Sequence, residues 1–267
     1  MNKKLSAVAA VLALTLALSG CGTGDKKTLT VGASPTPHAE ILNNVVKPLL
    51  AKQGIELVVK EFDDYVIPNT ALEDKELDAN YFQHAPYLKD FNAKNNTHLI
   101  SAVAVHFETM AIYPGKTATL DALADGADIA IPNDATNEAR ALQLLAAQGL
   151  ITLKDGVGLE ATPKDISANP KNLKFTEIEA AQIPNVLADV DFGVINGNYA
   201  LSAGIADKAL AKETADSEAA QTYANILAVR DGDESRPEIQ ALVKAMTSQE
   251  VKDYISKTYK GTVIAVF

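Results

Sequence analysis

The chain has 267 residues, of which 47% are hydrophobic and 22% charged, a composition that suits a folded globular protein and excludes a disordered one. Its 24 basic and 34 acidic residues give a formal net charge of −10, so the surface repels nucleic acid and no nucleic-acid partner is expected. The single cysteine excludes an internal disulfide framework and any metal site built from cysteines.

The N-terminus has the features of an export signal. Lys3 and Lys4 precede a mainly apolar run over residues 5–18. This run is too short for a membrane span, which needs about 20 apolar residues. It leads into Leu-Ser-Gly-Cys at residues 18–21, which matches the bacterial lipobox, where the cysteine becomes the lipidated first residue of the mature chain.

We therefore predict a signal peptide over residues 1–20 and a lipidated tether over residues 21–27. Lipid chains on Cys21 would hold the protein at a cell membrane, facing the periplasm or the outside. The alternative is an ordinary signal peptide with a chance cysteine. No later segment resembles a transmembrane helix.

Strand and helix patterns alternate along the rest of the chain, which predicts an α/β fold with mostly parallel sheets. Pro48 is expected to kink the first helix or end it early. Ser235 and Glu238 have the spacing of a capping box at the start of a helix. Strands are predicted at residues 28–32, 55–62, 77–82, 99–105, 109–113, 128–132, 173–178, 192–196 and 226–230. Helices are predicted at residues 36–54, 69–75, from 86, 135–148, 236–246 and 248–259.

Motifs for catalysis and for nucleotide binding are absent from the sequence. It has no G-x-S-x-G nucleophile elbow, no Walker A sequence and no G-x-G-x-x-G loop, so no cofactor is predicted. The four histidines show no ligand-pair spacing, and no metal is predicted, although a zinc site assembled from distant segments stays open.

Three stretches combine a strand end, a polar loop and a helix start: residues 78–87, 131–140 and 194–199. In open α/β sheets, ligands bind in the crevice beyond the carboxyl ends of the strands. Arg140 falls one turn into a predicted helix, where its guanidinium is placed to reach such a crevice. A structural salt bridge is the alternative for Arg140, and plain core packing is the alternative for Phe82 and Tyr87.

These stretches carry a family resemblance that extends over almost the full length. The chain resembles the methionine-binding lipoproteins of bacterial ABC importers, the MetQ-type or NlpA lipoprotein family. The matching segments are the lipobox, residues 64–69, 78–84, 132–134, 136–137, 140, 155–159, 169–173 and 194–196.

The resemblance implies a periplasmic-binding-protein-like fold, in which two α/β lobes enclose a ligand cleft. The first lobe would take residues 28–112 plus 228–267, and the second would take residues 113–227. The chain would then cross between lobes near Tyr113 and near residues 224–227.

The resemblance also implies the two ends of the ligand site. An aromatic pocket for the methionine side chain falls on Tyr65, Tyr81, Phe82 and His84. Polar partners for the amino-acid head group fall on Arg140, Asn196 and Asn225. A thioether packs well against aromatic rings, and arginine can bind a carboxylate through two hydrogen bonds. The resemblance does not fix whether residues 34–38 contact the ligand.

The predicted function is a monomeric, non-enzymatic receptor that captures L-methionine and delivers it to the permease of an ABC transporter. One alternative keeps the receptor role but changes the ligand to a methionine-containing dipeptide or another apolar amino acid. A remote alternative is a lipid-anchored hydrolase that uses His84 with Asp78 or Glu76 as a proton shuttle.

Overall fold

The computed structural model describes residues 27–214 and 222–267; the predicted signal peptide and Cys21 lie outside the described residues. The strands are β1 Lys27–Ala33, β2 Ile55–Glu61, β3 Ala79–His84, β4 Leu99–Glu108, β5 Ala111–Pro114, β6 Asp128–Pro132, β7 Thr152–Leu153, β8 Ile166–Ala168, β9 Lys174–Ile178, β10 Phe192–Ile195, β11 Ala211–Lys212, β12 Asn225–Arg230 and β13 Val263–Ala265. The main helices are α1 Lys47–Ala51, α2 Ile67–Glu73, α3 Ala85–Asn95, α4 Ala135–Ala147, α5 Ile183–Val186, α6 Gly197–Ser202, α7 Pro237–Met246 and α8 Gln249–Tyr259. None of the helices in this part of the chain is both long and apolar enough to cross a membrane.

The first lobe is built on a six-stranded sheet with the order β13-β4-β12-β3-β1-β2. Strands β1, β2 and β3 run parallel, whereas β12 is antiparallel to both β3 and β4. Helices α7 and α8 bury their apolar faces on this sheet through Leu242, Met246 and Ile255, in one cluster with Leu29 and Val31 of β1. Burial of this apolar surface is the main stabilising contribution to the lobe.

The second lobe is built on a five-stranded sheet with the order β11-β5-β10-β6-β9. Its centre is parallel, but β5 pairs antiparallel with both β10 and β11. The expectation of mostly parallel sheets is therefore wrong, and both sheets are mixed. Periodicity in the sequence locates strands, but it carries no information about which strands pair or in which direction.

The chain crosses between the sheets twice. It leaves β4 at Glu108 and enters β5 at Ala111, and it returns to the first sheet in β12, whose first residue Asn225 already pairs with His84 and His106. Strand pairing places residues 111–112 in the second sheet and residues 225–227 in the first. The predicted boundaries instead place residues 111–112 in the first lobe and residues 225–227 in the second. The predicted strand over residues 109–113 begins two residues early, because the sheet-to-sheet crossing interrupts the apolar pattern.

Two predicted local features take a different form in the structure. The helical segment that contains Pro48 does not end there but continues to Ala51. A widened turn precedes the proline, and in this turn the Lys47 N–H donates to the Leu42 oxygen. The capping box at Ser235 does not form. Residues 233–235 make a separate turn, and the Ser235 hydroxyl donates to the Gly232 oxygen instead.

Candidate ligand-binding site

A small cavity lies between the two lobes, beyond the ends of β3, β4 and β10. Both lobes contribute to its wall, as expected for a cleft at the carboxyl ends of sheet strands. The lining residues are Tyr65, Phe82, Gln83, His84, Tyr87, Glu108, Asn137, Arg140, Asn196, Gly197, Asn198 and Asn225.

One end of the cavity is aromatic. The ring of Tyr65 lies 5.7 Å from the ring of Phe82 and 5.7 Å from that of Tyr87, measured between centroids, and Phe82 lies 6.1 Å from Tyr87. The Tyr87 hydroxyl donates to the Tyr65 backbone oxygen at 3.0 Å. The three rings therefore form one fixed apolar surface, which suits a soft, unbranched side chain.

Direct contacts between the lobes close the cavity at this aromatic end. The Tyr65 hydroxyl donates to Asn198 Oδ1 at 2.6 Å, and the Tyr199 hydroxyl donates to the Asp63 backbone oxygen at 3.1 Å. The rings of Tyr65 and Tyr199 lie 4.9 Å apart. The structure thus represents the closed arrangement of the two lobes.

A chain of hydrogen bonds orients the amides at the polar end. Asp134 caps α4, and its carboxylate accepts from the backbone N–H of Asn137 at 3.0 Å and from Asn137 Nδ2 at 2.9 and 3.0 Å. Asn137 Oδ1 in turn accepts from Asn196 Nδ2 at 2.7 Å. Because these bonds fix both amides, Asn196 Oδ1 is left as a buried acceptor with no partner in the described part of the chain.

His84 connects the aromatic and polar ends as a neutral imidazole. Burial, reinforced by the nearby Arg140 charge, lowers the pKa of His84 to about 3. Its Nδ1 accepts from the Tyr87 N–H at 3.1 Å, which caps α3, so the proton is on Nε2. Nε2 then donates to Asn137 Oδ1 at 3.2 Å, a bond that joins the two lobes.

Arg140 lines the cavity and also forms a partly buried salt bridge. Its Nε and Nη2 donate to the Glu213 carboxylate at 2.7 and 2.6 Å, and Nη2 also donates to the Glu108 backbone oxygen at 2.8 Å. Its guanidinium carbon lies 4.4 Å from the centre of the Tyr223 ring. Burial favours the neutral form, but Glu213 outweighs it and raises the pKa of Arg140, which stays charged. None of these hydrogen bonds uses Nη1 of Arg140.

A compact group of buried residues, His38, His106 and Glu108, lies at the crossing segment beside the cavity. Their potential ligand atoms lie within 4.8 Å of one another, and this is the one such group found in the described ranges. The group is already hydrogen-bonded without an ion, because His106 Nε2 contacts Glu108 Oε1 at 2.6 Å and His38 Nε2 contacts Asn225 Oδ1 at 2.9 Å.

Six of the seven predicted contact residues line the cavity together: Tyr65, Phe82, His84, Arg140, Asn196 and Asn225. Tyr81 does not, because it is fully buried in the core of the first lobe, where its hydroxyl contacts His106 Nδ1. Tyr81 shares a strand face with Ala79 in that core, so the ordinary alternation of β3 places it on the face opposite Phe82 and His84. Ligand contact by the six residues stays a prediction.

Several lining residues were not singled out from the sequence. Tyr87, Asn137 and Asn198 lie inside the three polar stretches, so proximity to those motifs was the available signal. Gln83 donates to Asn69 Oδ1 and Asn80 Oδ1, which ties the β3 end to α2. Glu108 had no sequence signal, since it ends a strand without any recognisable motif.

The site geometry can be set beside known proteins. The family model described as NlpA lipoprotein matches residues 29–267. The chain belongs to the NlpA lipoprotein family. Among its NlpA-type relatives, the methionine-binding lipoprotein MetQ of Bacillus subtilis is 42% identical and covers 99% of both chains.

Solved structures agree with this assignment and show the periplasmic-binding-protein-like architecture. A nutrient-binding protein from Burkholderia cenocepacia bound to methionine is 44% identical, with a TM-score of 0.84 over 90% of this chain and 100% of that one. A lipoprotein from Ruminococcus gnavus is 55% identical, with a TM-score of 0.89 over 90% of this chain and 100% of that one.

Proposed function

We propose that this NlpA-family protein is a receptor that captures L-methionine in the closed cavity and delivers it to the permease of an ABC transporter. The observation that carries the proposal is the division of one interlobe cavity into an aromatic end and a charged, amide-rich end. A free amino acid with a long apolar side chain has the same division. The methionine-bound relative from Burkholderia supports this ligand.

The magnitudes indicate that both ends are needed. Burying a methionine side chain contributes about 1.5–3 kcal/mol. A receptor of micromolar to nanomolar affinity needs about 8–12 kcal/mol of binding free energy. The polar end must therefore contribute strongly, through Arg140 to the ligand carboxylate and through Asn196 and Asn225 to the head group.

The receptor role is favoured over hydrolysis by the position of the acids near β3. Asp78 precedes β3 and His84 ends it, and a six-residue strand separates its ends by about 20 Å. Asp78 pairs with Arg236 at 2.9 Å and accepts from the Thr30 N–H, while His84 is held by Asn137 and Tyr87. A proton shuttle between them has no geometric support, so we propose a non-enzymatic protein.

The proposal includes a monomer that is held at the cell membrane by lipid on Cys21, facing the periplasm or the outside. The lipobox supports this anchor, and Cys21 lies outside the described residues. Cys21→Ser should release the protein from the membrane fraction or leave it unprocessed, with methionine binding intact. Membrane retention of a cleaved Cys21→Ser protein would contradict the anchor.

Identification of the natural ligand tests the proposal directly. Full-length protein purified in detergent would be denatured, and the released small molecules identified by mass spectrometry. We expect methionine, and we expect added L-methionine to bind in calorimetry after the ligand is removed. Recovery of a methionine-containing dipeptide or another apolar amino acid, with no heat from methionine, would replace the ligand but keep the receptor role.

A further inference from the structure

Strand β2, over Ile55–Glu61, is an edge of the six-stranded sheet. It pairs with β1 on one side, and no strand of the described chain lies on its other side. Just past its end, the Phe62 N–H donates to the Ala33 oxygen at 3.0 Å. Because backbone groups alternate in direction along a strand, those of every second residue from Ile55 to Glu61 point away from β1. The edge thus presents a row of backbone donors and acceptors to a further strand.

The two faces of β2 differ in their surroundings. Ile55 and Leu57 are buried in the core of the first lobe. Glu56, Val58 and Lys60 alternate with them and are exposed, and Val58 is 37% exposed although it is apolar. A lysine on an edge strand commonly keeps other strands away. Here the lysine comes with an acid on the same face and an exposed valine midway between them.

This pattern makes β2 complementary to itself. When two copies run antiparallel with Val58 on a twofold axis, Glu56 of each copy lies opposite Lys60 of the other, and the two Val58 side chains meet. Leu57 then lies opposite Val59, so the backbone groups that point away from β1 are those that bond across the new pair. A register shift of two residues in either direction breaks both charge pairs.

The helix side of the edge leaves room for a partner strand. An open groove beside the start of β2 has Lys47 and Ala51 on one side and Ile55 and Leu57 on the other. In the same register, Glu61 of the second copy lies opposite Ile55, where its carboxylate would reach the groove beside Lys47. The symmetric pair therefore gains further contacts between opposite charges.

We propose that β2 is a self-association edge, at which a second copy of this chain adds its own β2 antiparallel and joins the two six-stranded sheets into one continuous sheet. The inference goes beyond the proposed receptor function and does not depend on the ligand. Because the twofold axis is normal to the sheet, the Lys27 residues of both copies lie at equal height along it, as two chains tethered to one membrane require.

The size of the contact sets its strength. A strand of seven residues is small beside the roughly 20–30 residues per side of a stable interface. Association is therefore weak, so the protein stays a monomer when it is dilute. The pair forms where copies are crowded together, as on a membrane surface.

Disulfide trapping of Val58→Cys tests the pairing. The two copies of residue 58 form a non-hydrogen-bonded pair with Cα atoms about 4.5 Å apart, a distance that a disulfide spans. In concentrated full-length protein in detergent, mild oxidation should link Val58→Cys into dimers at least about tenfold faster than Val66→Cys. The control Val66 is an exposed valine of the same lobe outside β2, and the unmodified protein gives the background from Cys21. Equal rates in the two variants would overturn the proposal.

Charge reversal on the Val58→Cys background tests the register. Glu56→Lys places two lysines opposite each other at both contacts, and Lys60→Glu places two acids there, so each change should slow cross-linking by about fivefold or more. An equimolar mixture of the two variants should restore rapid cross-linking, with one chain of each in the dimer, because opposite charges then meet again. Glu177→Lys, the same change at an exposed residue of the edge strand β9, is the matched control and should leave the rate unchanged.

The outcomes can be told apart. If the mixture cross-links as slowly as its two components, or if Glu177→Lys slows cross-linking as much as Glu56→Lys, the self-association edge is overturned. Thermal melting checks that each variant is folded, and the comparison of Val58→Cys with Val66→Cys decides the matter even if a charge variant is not. Methionine calorimetry on the unmodified protein tests the receptor function separately, so a failure of one proposal leaves the other standing.

Discussion

The two ends of the cavity are built on different principles. The aromatic end consists of Tyr65, Phe82 and Tyr87, all from the first lobe, which pack directly on one another. At the polar end almost every side chain is oriented by a partner behind it, as Glu213 orients Arg140 and Asn137 orients Asn196. The comparison teaches that the aromatic end is shaped by direct ring packing, whereas the polar end depends on residues behind the lining and is sensitive to any change in them.

The largest effect is expected from Arg140→Ala. Loss of the guanidinium removes the partner proposed for the ligand carboxylate, which typically costs about 2–5 kcal/mol, or about 30-fold to several-thousandfold in affinity. It also removes the charged partner of the partly buried Glu213 carboxylate, which keeps the Met110 N–H as a donor, so stability should fall by less than the roughly 3–5 kcal/mol that is typical of a fully buried pair. Calorimetry and chemical denaturation on the same preparation measure both quantities.

The double variant Arg140→Ala with Glu213→Gln separates the two roles of Arg140. It removes the unpaired charge, so stability should partly recover while methionine affinity stays low. Normal affinity in either folded variant would remove Arg140 from the site and leave it as a structural salt bridge.

A smaller but more diagnostic effect is expected from Asn137→Ala. This change removes the amide that links Asp134 to Asn196 and leaves their polar groups without their present partners. Unsatisfied buried groups cost about 1–3 kcal/mol, so methionine affinity should fall by about five- to 150-fold. Asn185→Ala, at an exposed amide, is the control. Equal affinities in the two variants would show that the amide chain does not organise the site.

Substitutions at the aromatic end should change the selectivity between amino acids more than they change the binding of the shared head group. Phe82→Ala should reduce the advantage of methionine over alanine by about 1.5–3 kcal/mol, because it removes a wall from the side-chain pocket. Phe91→Ala, in the same aromatic cluster but outside the lining, should lower stability and keep selectivity. Competition calorimetry with both amino acids would contradict the assignment if Phe91→Ala changed selectivity more than Phe82→Ala.

The smallest expected effect is a pH dependence of methionine affinity, of less than tenfold per pH unit. In the free protein, burial raises the pKa of Glu108 above its ordinary value of 4.5, against the opposing effects of His38, Arg140 and the Asn198 N–H. The ammonium group of a methionine bound beside Glu108 would favour the carboxylate and lower this pKa, so binding would release a proton.

Methionine affinity should therefore rise with pH up to the raised pKa that Glu108 has in the free protein. Calorimetry across pH 5 to 8 measures the slope, and Glu108→Gln should flatten it. A slope that persists unchanged in Glu108→Gln would assign the titration to another group.

The aromatic end was the more predictable one from sequence. Phe82 and His84 lie within one dense motif, but Tyr81 lies on the opposite face of β3, in the core with Ala79, so only part of the motif lines the site. The polar end depends on pairs such as Arg140 with Glu213, which are distant in sequence and meet only through the two chain crossings. The position of Arg140 in a predicted helix indicated that it could reach the site. Its pairing with Glu213 and the place of Glu108 in the lining could be seen only in the folded structure.

The hydrogen bonds between the lobes at Tyr65–Asn198 and Tyr199–Asp63 have a kinetic consequence. Because these bonds hold the lobes together over the cavity, a captured molecule would depart when the lobes separate. The opening rate is then the upper limit on dissociation for every ligand, and residence time depends partly on bonds that join protein to protein. Transfer of the ligand to a partner protein would be fastest if that partner broke these two interlobe hydrogen bonds. The contacts at the polar end would not need to change.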